Sequence, residues 1–126
     1  MYSEKVIEHF SNPRNAGSID IPDGVAAIGD PSCGDFLRIY IKVKDNCIDD
    51  IKFEVFGCPA AIATSSITTE LAKGKKLNEA LLISSKNIID SLGGLPKPKL
   101  HCSILGAKAL HEAIKDYLKQ SNKMVT

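Results

Sequence analysis

The sequence predicts an α+β fold in which a small three-stranded antiparallel sheet is covered on one face by helices. Between residues 37 and 55, apolar and polar side chains alternate on either side of an Asp-Asn pair, as in a hairpin with one buried face. After Gly57 the apolar residues change to a helical spacing that continues to the carboxyl-terminal region. Strands followed by helices are typical of α+β domains.

The amino-terminal region predicts a helix, an irregular arm and an edge strand. Apolar residues at helical spacing predict a helix over residues 2–10, with Ser3 as its N-cap. Pro13 and Gly17 follow, so residues 12–23 are expected to be irregular. The short apolar run in "GVAAIGD" then predicts an edge strand.

The remaining helices are predicted from their end signals. Pro59 occupies the favoured first position of a helix that Gly74 closes. The segment "LNEALLISSKNIIDSLGG" predicts a short helix and a longer one that starts at a serine and ends at a glycine pair. Residues 100–118 repeat apolar side chains with a period of 3.6 and predict the last helix.

Length and composition predict one domain over residues 1–126, with residues 1–20 as a mobile arm and residues 121–126 as a tail. The net charge of +1 gives no argument for binding nucleic acid or an anionic membrane. No apolar run reaches the roughly 18 residues that a membrane span needs. Because the amino-terminal segment also differs from a secretory signal, a cytoplasmic location is expected.

Three of the four cysteines fall at the ends of predicted elements. Cys33 lies in a loop between strands, Cys58 precedes the Pro59 helix, and Cys102 lies in the first turn of the last helix. A helix N-terminus favours the thiolate, which attacks sulfur electrophiles and binds soft metals. Together they suggest a surface metal or sulfur site, although each thiol could instead be a small core residue.

The spacing of the cysteines and the polar residues beside them further define the predicted site. No pair of cysteines has the CxxC spacing, which argues against a zinc finger or ribbon. Asp35 lies near Cys33 and His101 adjoins Cys102, so both are candidate ligands, although a turn residue and a structural histidine are the alternatives. Cys47 follows the hairpin turn without such neighbours and is interpreted as a bystander.

Three segments carry a resemblance to a known family. "GDPSCGD", "FGCPAAIATSS" and "LPKPKLHCSIL", in this order and separation, resemble the signature segments of IscU/NifU-type iron–sulfur cluster assembly scaffold proteins. The opening "YSEKVIEHFSNPRNAG" is also similar to that family, and the similarity extends to about Lys119. Three ordered cysteine motifs, with an aspartate and a histidine in register, make this match specific.

The resemblance implies a role for each candidate residue. Cys33, Cys58 and Cys102 would hold a nascent [2Fe–2S] cluster, and Cys102 would also be the persulfide acceptor. Asp35 would be a fourth ligand whose replacement makes the cluster less labile, and His101 an alternative ligand or hydrogen-bonding neighbour. Because a scaffold must release its product, an exposed site with one weak oxygen or imidazole ligand is expected.

The resemblance also implies partners. A pyridoxal-phosphate-dependent cysteine desulfurase would deliver sulfur, an iron donor would supply iron, and a ferredoxin-like protein would supply electrons. The [2Fe–2S] cluster would pass to recipient apo-proteins, and two units could couple to form [4Fe–4S]. Binding of the cluster in a homodimer, and zinc in the cluster-free protein, are left open.

One segment departs from the family pattern. Before the His-Cys pair the family has two adjacent prolines and an aliphatic residue, whereas this chain has Lys97 and Pro98 at the second and third of these positions. That segment is the docking site of an Hsp70-type chaperone, so chaperone-assisted transfer is less expected here. Pro59 replaces a small residue after the second cysteine and should stiffen that turn.

Two other functions are weighed against an assembly scaffold, which is not an enzyme in the strict sense. A zinc-bound sulfur acceptor of the SufU type activates a desulfurase, but the retained His101 and the absence of that branch's insertion favour the scaffold. A hydrolase that uses Cys102 as nucleophile and His101 as base is disfavoured, because these adjacent residues of one helix are expected to point to different faces.

Overall fold

A three-stranded antiparallel sheet in the order β1-β2-β3 forms the centre of the protein. In this computed structural model, residues 2–30 and 35–125 are described, with the side chains of 30, 35 and 121–125 left out. The strands are β1 (Gly24–Asp30), β2 (Asp35–Lys44) and β3 (Cys47–Phe56). The predicted α+β class, with three antiparallel strands and helices on one face, is confirmed.

The predicted hairpin joins β2 to β3 through Asp45 and Asn46, whose φ angles of 53° and 64° are positive. Two positive φ angles in a two-residue loop match the right-handed twist of the flanking strands. The pairing runs from Phe36 opposite Phe56 to Lys44 opposite Cys47, with one irregularity near the turn. The hairpin therefore carries the chain from its tight turn back to Phe56, two residues before Cys58.

Five helices and one 3₁₀ turn complete the described structure, and the predicted N-cap Ser3 is confirmed. Of Ser84 and Ser85, the two serines at which a helix was expected to start, Ser84 is the N-cap. The last helix continues to Val125 instead of ending at Leu118. The 3₁₀ turn, which was not predicted, leads directly into it. No helix in the described part of the chain is long and apolar enough to cross a membrane. The bounds are α1 (Glu4–Ser11), α2 (Pro59–Ala72), α3 (Leu77–Ala80), α4 (Ser85–Ser91), the 3₁₀ turn (Lys97–Lys99) and α5 (Leu100–Val125).

Helices α2 and α5 pack against the apolar face of the sheet. The main core joins strand residues such as Ile39 and Ile51 to helix residues such as Ala63 and Leu110, all fully buried. On the opposite face, the carboxylate of Glu54 contacts Arg38 and Tyr40, as the alternation predicts. The two helices therefore share one face of the sheet and can contact each other across it.

Small and hydroxyl-bearing residues allow α2 and α5 to approach closely. A Cβ atom on Gly106 would lie 2.8 Å from Thr68 Oγ1 and 3.8 Å from the carbonyl oxygen of Thr64. Any larger residue at this position would require the Thr68 side chain or one of the two helices to shift. This contact brings the amino-terminal half of α5 alongside α2, which determines where Cys102 lies relative to Cys58.

The amino-terminal segment is anchored to the helices and the sheet. Ser66 Oγ lies 2.7 Å from Nδ1 of His9 and accepts a 2.9 Å hydrogen bond from the backbone N–H of Arg14. His9 Nε2 lies 3.3 Å from a carboxylate oxygen of Glu70. The arm then exchanges backbone hydrogen bonds with Phe53 on β3. The mobility expected of residues 1–20 stays a prediction.

The buried His9 makes the stability of the protein depend on pH. Burial lowers the pKa of its imidazole, and the Arg14 guanidinium lowers it further. The carboxylates of Glu70 and Glu8 raise this pKa by a smaller amount, and the ammonium of Lys5 lowers it slightly. The unfolded chain therefore takes up this proton first as the pH falls below about 6.5, so acid favours unfolding.

We expect His9→Gln, which cannot titrate, to lose less unfolding free energy than the wild type between pH 7.5 and 5.5. Urea unfolding at the two pH values measures this difference, with His111→Gln on α5 as the control for replacing a histidine. An equal loss in the wild type and in His9→Gln would show that His9 does not cause the pH dependence.

Candidate metal and sulfur site

Cys58 is the N-cap of α2, where the chain leaves β3 and enters the helix. Its backbone is extended, with φ −77° and ψ 172°, and its carbonyl oxygen accepts the N–H groups of Ala61 and Ile62 at 2.9 and 3.2 Å. Pro59 follows at the first helical position, as predicted. The half-buried thiol makes no capping hydrogen bond within the described residues.

Cys102, the third residue of α5, is packed beside α2 with only 1% of its surface exposed. It forms a small buried cluster with Ala60 and Ala61, against which Cys58 and Val55 also pack. The fold therefore brings Cys58 and Cys102, which are far apart in sequence, to the same end of the molecule. The sequence predicted a surface site and left a core position for each thiol as the alternative, and the packing of α5 on α2 covers the thiol of Cys102.

His101 is exposed, and its Nε2 atom lies 3.7 Å from Sγ of Cys102. The two residues lie on different faces of α5, one exposed and one buried, but the sequence did not predict that the tips of their side chains come this close. An imidazole and a thiol at this distance can contact a common ligand. The burial of Cys102, rather than its orientation, is the argument against a nucleophile that attacks a large substrate.

The segment before the His-Cys pair is a 3₁₀ turn that continues into α5 without a break. Pro96 caps this turn, and the N–H of Lys99 donates to the carbonyl oxygen of Pro96 at 2.8 Å. The N–H of Leu100 donates to the carbonyl oxygen of Lys97, so the helical segment begins at Lys97, three residues before α5. Cys102 lies in the first turn of α5, as predicted, while Lys97 and Pro98 are exposed to solvent.

Cys33 and the side chain of Asp35 lie outside the described residues, so their ligand roles stay predictions. The backbone of Asp35 pairs with Asp30 where β1 and β2 end, and the next residue of β2, Phe36, lines the same cavity as Cys102. The strand ends that flank Cys33 in sequence are therefore near Cys102. Within the described part of the chain, no three His, Cys, Asp or Glu side chains form a metal-binding group.

Cys47 is half-buried at the start of β3, whereas Cys58 follows the end of that strand. It pairs with Lys44 across the hairpin and forms an isolated bridge with Lys76. Strand rise along the ten residues of β3 separates the two ends by roughly 30 Å. Cys47 is thus remote from the other described cysteines, in agreement with its interpretation as a bystander.

A small cavity of about 10 Å³ adjoins Cys102, and the sequence analysis did not identify it. Hydroxyl residues Thr64 and Ser65 on α2 form part of its wall. The run "TSSITT" within an otherwise apolar helix was a signal that this face of α2 is unusual. Besides these two residues and Cys102, the lining consists of Phe36, Leu37, Val55, Ala61 and Leu105.

Burial predicts the order in which the described thiols react. In the folded, metal-free protein, iodoacetamide should modify Cys47 and Cys58 before Cys102, because only Cys102 of these three is fully buried. Peptide mass spectrometry after timed labelling measures the order, and labelling in urea should remove it. Modification of Cys102 as early as Cys58 would contradict the packing of α5 described above.

Known proteins resemble this chain over nearly its full length. The NifU-like N terminal domain family matches residues 1–124. An iron–sulfur cluster assembly scaffold protein IscU of Archaeoglobus fulgidus is 59% identical over 124 residues, which cover 98% of this chain and 81% of that protein. The IscU scaffold protein of Aquifex aeolicus is 47% identical over 125 residues, covering 98% and 80% of the two chains.

Solved structures agree with these matches. The crystal structure of a NifU-like protein from Brucella abortus has a TM-score of 0.72 at 19% identity and covers 94% of each chain, which supports the fold alone. A protein assigned as a cluster assembly scaffold of the SUF system in Fervidobacterium islandicum has a TM-score of 0.72 at 25% identity, covering 90% and 96%. The chain belongs to the NifU-like N-terminal domain family, and its predicted resemblance to IscU-type scaffold proteins is confirmed.

Proposed function

We propose that this protein is a scaffold on which iron–sulfur clusters are assembled before transfer to other proteins. The observation that carries this proposal is the convergence of Cys58, Cys102 and His101 at one end of the fold, where the strands flanking Cys33 also end. Family membership supports it, because similar proteins are named iron–sulfur cluster assembly scaffolds. The role is binding and release of a cluster and not catalysis in the strict sense.

The cluster, as cargo, would be held by the thiolates of Cys33, Cys58 and Cys102. Thiolates are the usual ligands of iron in such clusters, and [2Fe–2S] is the form that the resemblance to the family implies. Asp35 or His101 would supply the fourth, weaker ligand that allows release. The imidazole near Cys102 Sγ supports His101 for this role, while Asp35 is retained from the family motif.

Sulfur would come from a pyridoxal-phosphate-dependent cysteine desulfurase, as a persulfide transferred to Cys102. The transferred sulfane sulfur must be reduced to sulfide, so a ferredoxin-like electron donor is a further partner. An iron donor is also needed to supply the metal of the cluster. Recipient apo-proteins would take the finished [2Fe–2S] cluster, or a [4Fe–4S] cluster formed when two units couple. The reduced thiols that this chemistry needs favour a cytoplasmic location.

Anaerobic reconstitution with iron, cysteine and a desulfurase should give the visible absorption spectrum of a [2Fe–2S] cluster. Replacement of Cys33, Cys58 or Cys102 by serine should each reduce the bound cluster about tenfold or more, because each removes a thiolate ligand. Cys47→Ser is the control and should bind as much iron and sulfide as the wild type. Loss of the cluster in Cys47→Ser alone would contradict this ligand set.

Asp35→Ala tests the fourth ligand. If the Asp35 carboxylate promotes release, this variant should lose its cluster to a chelator several-fold more slowly than the wild type. His101→Ala tests the alternative in the same assay, read as loss of iron absorbance with time. Equal rates for Asp35→Ala and the wild type would remove Asp35 from the site, whatever the result for His101→Ala.

A zinc-bound sulfur acceptor is the second candidate, favoured by the similarity to the SUF-system protein. In this case the same cysteines would hold zinc, and the protein would accelerate the desulfurase without building a cluster. Metal analysis and Mössbauer spectroscopy of protein purified without oxygen separate the candidates. Zinc alone, together with a failed reconstitution, would favour the acceptor over the scaffold.

A further inference from the structure

We propose that the cavity beside Cys102 stores the outer sulfur of a Cys102 persulfide, where soluble reductants have little access to it. This inference rests on the proposed function, because it takes Cys102 as the sulfur acceptor. It adds a storage position, formed by Thr64, Ser65 and Ala61 of α2, to a site so far defined by its metal ligands.

The size of the cavity suits one added atom. Its volume of about 10 Å³ is at the lower limit of the space that admits one water molecule. A sulfur atom is larger than a water oxygen, so the walls of the cavity have to move apart when it enters. Because Cys102 itself lines the cavity, a sulfur bonded to Sγ needs no channel to enter it.

The lining offers a sulfur atom both apolar and polar contacts. Phe36, Leu37, Val55 and Leu105 provide apolar contacts, which favour a polarizable sulfur atom. A buried water normally needs two to four polar partners, and Thr64 and Ser65 are the main polar side chains here.

The two hydroxyls have a defined orientation. Those of Thr64 and Ser65 both donate to the carbonyl oxygen of Ala61, at 3.1 and 2.8 Å, and both residues are 1% exposed. Because their hydrogens are engaged in this way, their oxygens can accept a hydrogen bond from the S–H of a hydropersulfide. Ser65 and Thr64 would therefore hold the outer sulfur in place without reacting with it.

The transfer step needs the thiol to leave its buried position for a short time. The Cys102 thiolate attacks the outer sulfur of the desulfurase persulfide, the donor S–S bond breaks, and the donor cysteine leaves as a thiolate. A proton then completes the Cys102 hydropersulfide, with no net oxidation or reduction. Return of the side chain to its packed position beside Ala61 places the new sulfur in the cavity.

Storage in the cavity protects the outer sulfur of the persulfide by limiting the access of reductants to it. Thiol reductants remove a sulfane sulfur by direct attack on a sulfur atom, so the rate depends on whether that atom can be reached. Cys102, Thr64 and Ser65, which line the cavity, are each 1% exposed, so a reductant has little access to a sulfur atom held beside them. Reduction would then wait until a cluster is being formed and the side chain turns out.

The test variant is Ala61→Val, whose added methyl groups occupy the cavity. Metal-free protein is loaded with a cysteine desulfurase and cysteine, separated from both, and exposed to dithiothreitol. The persulfide on the Cys102 peptide is then counted by mass spectrometry after alkylation at timed intervals. Ala27→Val, on the exposed face of β1, is the matched control, and circular dichroism checks the folding of each variant.

The wild type and Ala27→Val should keep the sulfur about tenfold longer than Ala61→Val, because access controls the exchange rate. Ser65→Ala, which removes a hydroxyl and leaves the cavity open, should shorten the lifetime by a smaller factor. Equal lifetimes in all four proteins would overturn storage while leaving sulfur acceptance intact. Absence of any persulfide on wild-type Cys102 would overturn its role as the acceptor, and storage with it.

Discussion

The close contact between α2 and α5 is the constraint on which the candidate site depends. It is possible because Gly106 carries no side chain where Thr68 approaches. The amino-terminal ends of both helices lie at the same end of the sheet, so the cysteines near their starts pack close to each other. Cys58 and Cys102 are neighbours through this packing and not through any local sequence relation.

The composition of α2 follows from the same contact. A helix that packs this closely needs small residues, yet hydroxyls buried in a core destabilise it unless they are hydrogen-bonded. Thr64, Ser65 and Thr68 each donate to a carbonyl oxygen three or four residues earlier in the helix. The helix is therefore compact and internally satisfied, and a small space remains between its surface and Cys102.

A scaffold has to hold a cluster and later release it, and the packing of Cys102 affects both steps. A buried thiol is protected between partners, whereas ligand exchange and sulfur transfer need the same thiol to be reached. The exposed His101 beside it and the exposed turn at Lys97 and Pro98 are the parts of the segment that a partner can contact without disturbing the core. Movement of the Cys102 side chain, with little change in α5, would convert the protected thiol into one that a partner can reach.

The sequence by itself determined the sheet, most helix ends and the positions of the described cysteines relative to those ends. Strand alternation, N-caps and Pro59 are local patterns, and they report backbone conformation over a few residues. Tertiary structure alone decided the burial of Cys102, the 3.7 Å approach of His101 and the cavity. These features depend on how closely α5 approaches α2, and no local pattern encodes a distance between residues so far apart in the chain.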